Sequence, residues 1–323
     1  GDWSSDVSSS DLQATGVLHL ARDEQHAASQ HRVVELQQPD PDTLQCVDRM
    51  RASELAAWPA PIGGWWFAGG GWVDPGSLCR ANLARHAAAI RFHRGCEVGS
   101  VEHFGDLWCA LDTSGACIAE APVLILANAA AVRRFAVSAH LPLRAARGQV
   151  THLVAAAGSP PPLVVCRLGY VTPAIDGVRC VGATFAVDDE EADLRAADDA
   201  ENLAKLDYML PGYTAATPLA MIGGRVGWRP LPPDRLPIVG AVGDAAALAG
   251  RSSPPVLVAI PRLPGLFTIN GFGARGIVWS ALAGEVLACL INGEPPPLAA
   301  ELVAALDPCR FLRRRRPARA LRR

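Results

Sequence analysis

The most constraining stretch of the chain is "TINGFGARGIVWSALAGEVLACLING", residues 268–293. There Gly271, Gly273 and Gly276 take the G-x-G-x-x-G spacing between a strand-like and a helix-like run. Glycines so spaced permit a tight turn with backbone close to a bound group, and the following helix aims unpaired N–H groups at whatever sits there. A dinucleotide-binding βαβ unit also needs a second strand, with an acidic residue about 20 positions on. Here the helix runs into "INGEPPPLAAEL", whose three prolines exclude a central strand, and Glu294 has the spacing without the strand. The segment reads as a strand, turn and helix that close a domain and present a helix N-terminus to a ligand. The alternative is a glycine-rich turn with no ligand.

At 323 residues the chain is long enough for two ordinary domains. Half of it is apolar, yet no stretch reaches the roughly 18 apolar residues of a membrane span, so the expectation is a soluble, cytoplasmic protein. Lys205 is the only lysine and lies on a polar helix-like segment, which disfavours Schiff-base chemistry. The nine cysteines form no C-x-x-C pair, and the eight histidines form no zinc motif. No metal is expected, and the cysteines read as buried reduced thiols. Residues 310–323 carry eight Arg and no acid, leaving 22 of the 30 basic residues against all 32 acidic ones elsewhere. Such a tail either contacts phosphates or is a solvated end. "GDWSSDVSSSDL" at the start is neither a signal peptide nor a good helix or strand, so residues 1–12 are expected to be foreign or disordered and the chain a truncation.

Along the chain, "ATGVLHLA" alternates as a strand and "RDEQHAASQHRVVELQ" as an amphipathic helix; "DPDTLQCVDRMRASELAAW" predicts another short helix. "PIGGWWFAGGGWVDPG" breaks the pattern, and a helix is predicted over about 76–90. "IRFHRGCEVGSVEHFGDLWCALD", "GACIAEAPVLILANA" and "GQVTHLV" are strand-like. The unbroken "VLIL" before Ala127, Asn128 and Ala129 predicts a strand covered on both faces, whose small residues either make room for a ligand at its carboxyl edge or simply lead a buried strand into a helix. "GYVTPAI" and "RCVGATFA" predict an antiparallel pair, and "DDEEADLRAADDAENLAKLDYMLP" an acidic amphipathic helix. Parallel-type strands thus flank an antiparallel, helix-decorated insert.

Five pieces in order, "GGGWVDPGSLCRA", "RGQVTHL", "GYVTP", "GWRPLPPDRLPIVG" and "PGLFTINGFGARGIVWSALAGEVLACLINGEPPPL", resemble the FAD-dependent D-amino acid oxidase and glycine oxidase superfamily, and within it the branch that modifies tRNA. The likeness runs from about Thr15 to Arg310. It implies an α/β (α+β) fold, an incomplete FAD-binding Rossmann-like domain interleaved with an antiparallel-sheet substrate domain. The implied division is 13–66 and 138–220 for the substrate domain, 67–137 and 221–309 for the FAD domain, and a basic tail over 310–323.

The resemblance further implies a flavin reaction on tRNA. FAD would take a hydride from the carbon beside the secondary amine of 5-carboxymethylaminomethyl-2-thiouridine at the wobble position, and hydrolysis would release glyoxylate and 5-aminomethyl-2-thiouridine. An S-adenosylmethionine-dependent methyltransferase, fused or separate, would act next; no part of this chain resembles it. Hydride removal asks for positioning more than for a strong acid or base, so no acid or base is assigned. The helix end at Asn270, Gly271, Phe272, Gly273, Ala274, Arg275 and Gly276 would face the flavin. Arg229 and Arg275 either receive the substrate carboxylate through two-pronged bonds or are structural ion pairs. Tyr170 either lines the pocket or is a core tyrosine, and Gly70 and Gly71 either let a loop lie flat on the flavin or form a turn. The superfamily's own pyrophosphate glycines precede the matching region, so weak or absent FAD binding is expected of this chain alone. The rival readings are an oxidase of free amino acids and an inactive fragment that only binds tRNA.

Overall fold

The alternation in "GVLHLA" survives into three dimensions. In the computed structural model, which describes residues 11–217, 219–250 and 256–313, Val17–Leu20 is a strand with Leu18 and Leu20 fully buried and His19 on the opposite face. The described residues fall into two compact units, one drawn from 1–91, 147–186 and 191–227, the other from 92–146, 187–190 and 228–323. The expected break at 66/67 lies elsewhere: residues 67–91 go with the first unit.

In the first unit Val17–Leu20 pairs antiparallel with Gly64–Phe67, which also holds Gln45–Val47. On its other side it pairs parallel with Val164–Cys166, and the sheet continues through Tyr170–Val171 and Val178–Gly182 to Arg144–Val154. The alternate residues Leu18, Leu20, Val165, Val171, Val181 and Leu153 pack against Ala52 and Ala56 of the helix Arg49–Ala56 and against Leu206 and Met209 of the helix Ala196–Met209. Each leucine so buried contributes roughly 1.5–3 kcal/mol. Three arginines are buried here as well. Arg179 donates to the carbonyls of Thr172, Pro160 and Ser159 and to the Tyr213 hydroxyl. Arg147 pairs with Asp198, and Arg167 donates to the carbonyls of Ala21, Arg22 and Tyr208.

In the second unit Val98–Phe104, Leu107–Asp112 and Cys117–Ala121 form an antiparallel meander. A separate three-stranded sheet pairs Arg262–Asn270 antiparallel with Ile238–Gly243 and parallel with Leu124–Leu126. Trp108, Leu126, Val132, Phe135, Ile238 and Leu266 fill one cluster; Val239, Ala283, Val286, Leu287 and Leu306 fill a second beneath the helix Gly276–Asn292. Arg262 makes a two-pronged pair with Asp307 at 2.9 and 2.8 Å.

The structure corrects several expectations. The helix predicted over residues 40–58 is divided: Gln45–Val47 is a strand, and Asp48 restarts the chain as an N-cap by accepting from the Arg51 N–H at 2.8 Å. The helix predicted over 76–90 ends at Arg85, followed by a single 3-10 turn, Ala87–Ala89. Residues 90–95 form no strand, the first of that stretch being Val98–Phe104. The acidic helix begins only at Ala196, because Arg147 takes the carbonyls of Glu191 and Asp193 and Gln149 takes the Arg195 N–H. The strand Leu124–Leu126 is not covered on both faces: Leu126 is buried while Ile125 is 43% exposed. Among the cysteines, Cys79, Cys96 and Cys117 are exposed.

At the termini, residues 1–10 and 314–323 lie outside the described residues, and with them most of the proposed foreign segment and of the basic tail. Leu12 nevertheless pairs with Val73, and Asp11 accepts from the Ser77 hydroxyl at 2.7 Å, so the end of the segment expected to be disordered is ordered. Arg310, counted with the tail, is instead structural, paired with Asp234 at 2.8 Å. Among the described residues no helix is long and apolar enough to cross a membrane, and no group of His, Cys, Asp and Glu is placed to hold a metal ion.

Candidate active site

Two parallel strands of the second unit end side by side. Thr268 is the register partner of Leu126, so Ala127, Asn128 and Ala129 leave one strand where Asn270, Gly271 and Phe272 leave the other. Asn270 is buried, and its amide donates to the Leu126 carbonyl at 2.9 Å; the Thr268 hydroxyl donates to the same oxygen at 3.1 Å. The side chain of Asn270 is thus committed to aligning the strand ends, a role its place in the motif did not reveal. Ala129 starts the following 3-10 turn with a left-handed φ of 53°.

Gly271 and Gly273 have φ of 75° and 56°, which explains the residue type. The turn also carries a close neighbour: a Cβ on Gly271 would lie 2.9 Å from Pro232, and the Gly273 N–H donates to the Pro230 carbonyl at 3.0 Å. The proline-rich segment is folded onto the turn, and half-buried Arg229 stands immediately before it. After Gly273 and Ala274, Arg275 is the N-cap residue of the helix Gly276–Asn292 and gives it no side-chain cap. The first-turn N–H groups and the positive end of the helix dipole therefore remain available to an anion, an attraction of roughly 0.3–2 kcal/mol. Beside them Ile277 and Val278 are exposed. The Arg275 guanidinium donates to the Arg235 carbonyl, so the proline-rich segment that follows Arg229 is tied to the glycine turn both there and at Pro230.

A cavity of about 820 Å³ opens against the carboxyl end of Leu124–Leu126, lined by Ala127 and Asn128 on one side and by Val101, Ala110, Asp112, Ser114 and Gly115 of the meander on another. The Ser114 hydroxyl and the Ala116 and Ser114 N–H groups all donate to Asp112 and hold its carboxyl below the usual carboxylate range. Sequence reasoning missed this wall. Its only local signal is the "DTSG" turn, which says nothing of the distant strand it faces.

The remaining candidates lie in the first unit. Gly70 and Gly71 form the turn between Gly64–Phe67 and Trp72–Val73, and a Cβ on Gly71 would meet the Gln13 carbonyl at 2.0 Å. Close packing within the unit suffices to require glycine there. Next to them the buried indole N–H of Trp72 has no acceptor among the described residues. Tyr170 is half-buried on the sheet face that also carries Cys166 and Cys180, with its hydroxyl 3.8 Å from the Cys180 thiol. Burial pushes the Cys166 thiol up to about 11.

The fold is that of flavin-dependent amine oxidases. The chain is similar to the glycine oxidase of Geobacillus kaustophilus, with TM-score 0.75, 20% identity, and coverage of 92% of this chain and 75% of the other. It is also similar to the iminodiacetate oxidase IdaA of Chelativorans sp. BNC1, with TM-score 0.72, 25% identity, and coverage of 91% and 76%. The chain belongs to the FAD dependent oxidoreductase (DAO) family, whose model matches residues 4–290. A relative from Aromatoleum aromaticum, the tRNA 5-methylaminomethyl-2-thiouridine biosynthesis bifunctional protein MnmC, is 57% identical over 310 residues, 96% of this chain and 48% of its own length. The protein of the same name from Azoarcus sp. is 52% identical over the same shares. The chain spans about half the length of the curated relatives it matches.

The cofactor of the family is FAD, and the residues present fit its flavin end. An uncapped helix N-terminus, two glycines with left-handed φ and the small residues Ala127, Asn128 and Ala129 at a neighbouring strand end form a cradle with little side chain in it. Among the described residues no strand, glycine turn, helix and second strand follow one another as a dinucleotide-phosphate unit does. No residue is therefore assigned to the pyrophosphate.

Proposed function

We propose that this chain carries out the oxidative step in the modification of a tRNA wobble uridine, converting 5-carboxymethylaminomethyl-2-thiouridine to 5-aminomethyl-2-thiouridine and glyoxylate. The observation that carries this reading is the 57% identity to the tRNA-modifying relative across 96% of this chain. The chemistry of IdaA supports it, because iminodiacetate is itself a carboxymethyl secondary amine.

FAD, when bound, supplies a two-electron acceptor for the C–H bond beside the amine. The chain's own residues do the rest. Arg229, before the proline-rich segment, and Arg275, in the glycine turn, hold the carboxylate of the carboxymethyl arm, a bond Arg makes with two parallel donors. With FAD bound, the free N–H groups at the start of Gly276–Asn292 would stabilise negative charge on the cofactor. Ile277 and Val278 give that edge an apolar border. Water then cleaves the substrate imine, and the nitrogen stays on the nucleoside. The partners are tRNA and a methyltransferase, in keeping with the word "bifunctional" in the names of the relatives.

The test is anaerobic mixing of the FAD-loaded protein with tRNA that carries the carboxymethylaminomethyl group, following flavin absorbance and glyoxylate. Arg275→Ala should slow flavin reduction about a hundredfold, the typical effect of losing substrate position, while tRNA binding changes little. Equal reduction rates would remove Arg275 from the site. Flavin reduced by free glycine but not by tRNA would replace this reading with an amino acid oxidase.

A further inference from the structure

The central strand and one edge strand of the meander hold a second piece of chemistry that the oxidase reaction does not use. Cys109 lies on Leu107–Asp112 and Cys117 opens Cys117–Ala121. The ladder pairs Ala110 with Ala119 but Leu111 with Cys117, a bulge that skips Ile118 and brings Cys117 onto the face shared by Leu111 and Cys109. The two sulfurs stand 2.6 Å apart, with Cys109 buried and Cys117 exposed. No other pair among the nine cysteines has its sulfurs in contact, and this face is the reverse of the Ala110 side that lines the cavity.

We propose that Cys109 and Cys117 form a reversible disulfide that records exposure to hydrogen peroxide. The exposed Cys117 sulfur attacks the peroxide O–O bond, giving a sulfenic acid and one water. Cys109 then attacks that sulfur; the S–O bond breaks, and the departing hydroxide leaves as water with the Cys109 proton. Two thiols lose two electrons and two protons, and one hydrogen peroxide is reduced to two waters. The Cys117 thiol beside it, burial, and the carboxylates of Glu120 and Glu102 push the Cys109 thiol up to about 11, so Cys109 waits as the protonated resolving partner. The bridge would staple the meander hairpin without touching the glycine turn, Arg229 or Arg275.

The experiment is a thiol count. The reduced protein is treated with stoichiometric hydrogen peroxide, quenched, unfolded and capped with N-ethylmaleimide, and its intact mass and peptide map are read. The expected result is two fewer caps than in the untreated protein, a linked pair of peptides containing Cys109 and Cys117, and restoration of all caps by dithiothreitol. Cys117→Ser should keep every remaining thiol capped after the same treatment. An unchanged count in the parent, or a bridge that joins other cysteines, would overturn the proposal whether or not the chain oxidises tRNA.

Discussion

The two units close their interiors by different means. All three buried arginines lie in the first unit, where they satisfy carbonyls from distant segments, and Gln149, Thr151 and Asn202 join them in a hydrogen-bonded layer between sheet and helix. The second unit buries almost only apolar side chains, yet Val123, Ile125, Ile277 and Val278 stay exposed around its candidate site. Buried polar networks specify one arrangement and fail abruptly when a member is lost. Apolar packing loses stability in proportion to the volume removed and tolerates an open face. The unit with the glycine turn is built to present surface; the other is built to hold a shape.

The largest expected effect is that of Arg179→Met. Its guanidinium serves three carbonyls and a hydroxyl, and their loss as partners should cost about 3–5 kcal/mol. Hydrogen exchange read by mass spectrometry should show protection lost over 164–182 and kept over 238–243 and 262–270; equal loss in both would end the distinction between the units. Leu266→Ala, at a fully buried position, should cost about 2–4 kcal/mol with the reverse pattern of exchange.

The smallest effect sharpens the comparison at the edge of the second unit. Burial would raise the carboxyl of Asp234, but the Arg310 guanidinium and the Leu236 N–H hold it below the usual carboxylate range. A depressed folded value stabilises the native state above the unfolded value of about 3.9 and is lost as pH falls through the folded one. Asp234→Asn should lower stability at neutral pH by less than about 1 kcal/mol, since the pair is partly exposed. Urea midpoints of variant and parent should converge in strong acid; a gap that persists there would assign the effect to packing.

Much of this was legible where local pattern and tertiary outcome agree. The alternation around Leu18 and Leu20, the antiparallel pair at Tyr170 and Val181, and the strand, turn and helix at Gly271 follow from spacing alone. What was not legible depends on partners far away in sequence. Gly71 is pinned by the Gln13 carbonyl, and the acidic stretch before Ala196 is kept from helix by Arg147, so neither outcome has a local cause. The cavity wall at Asp112 and Ser114 was missed for the same reason. Arg310 looked like the first residue of a tail because its partner, Asp234, lies 76 positions away.

The buried amide of Asn270 has one more consequence. A parallel ladder frays at its last residues, where backbone partners run out, and a ligand that seats there must first bring the two ends to rest. By reaching sideways to the Leu126 carbonyl, Asn270 adds a rung made of side chain where the backbone rungs stop. The edge that meets the ligand is then set in advance, and less ordering entropy is lost on binding.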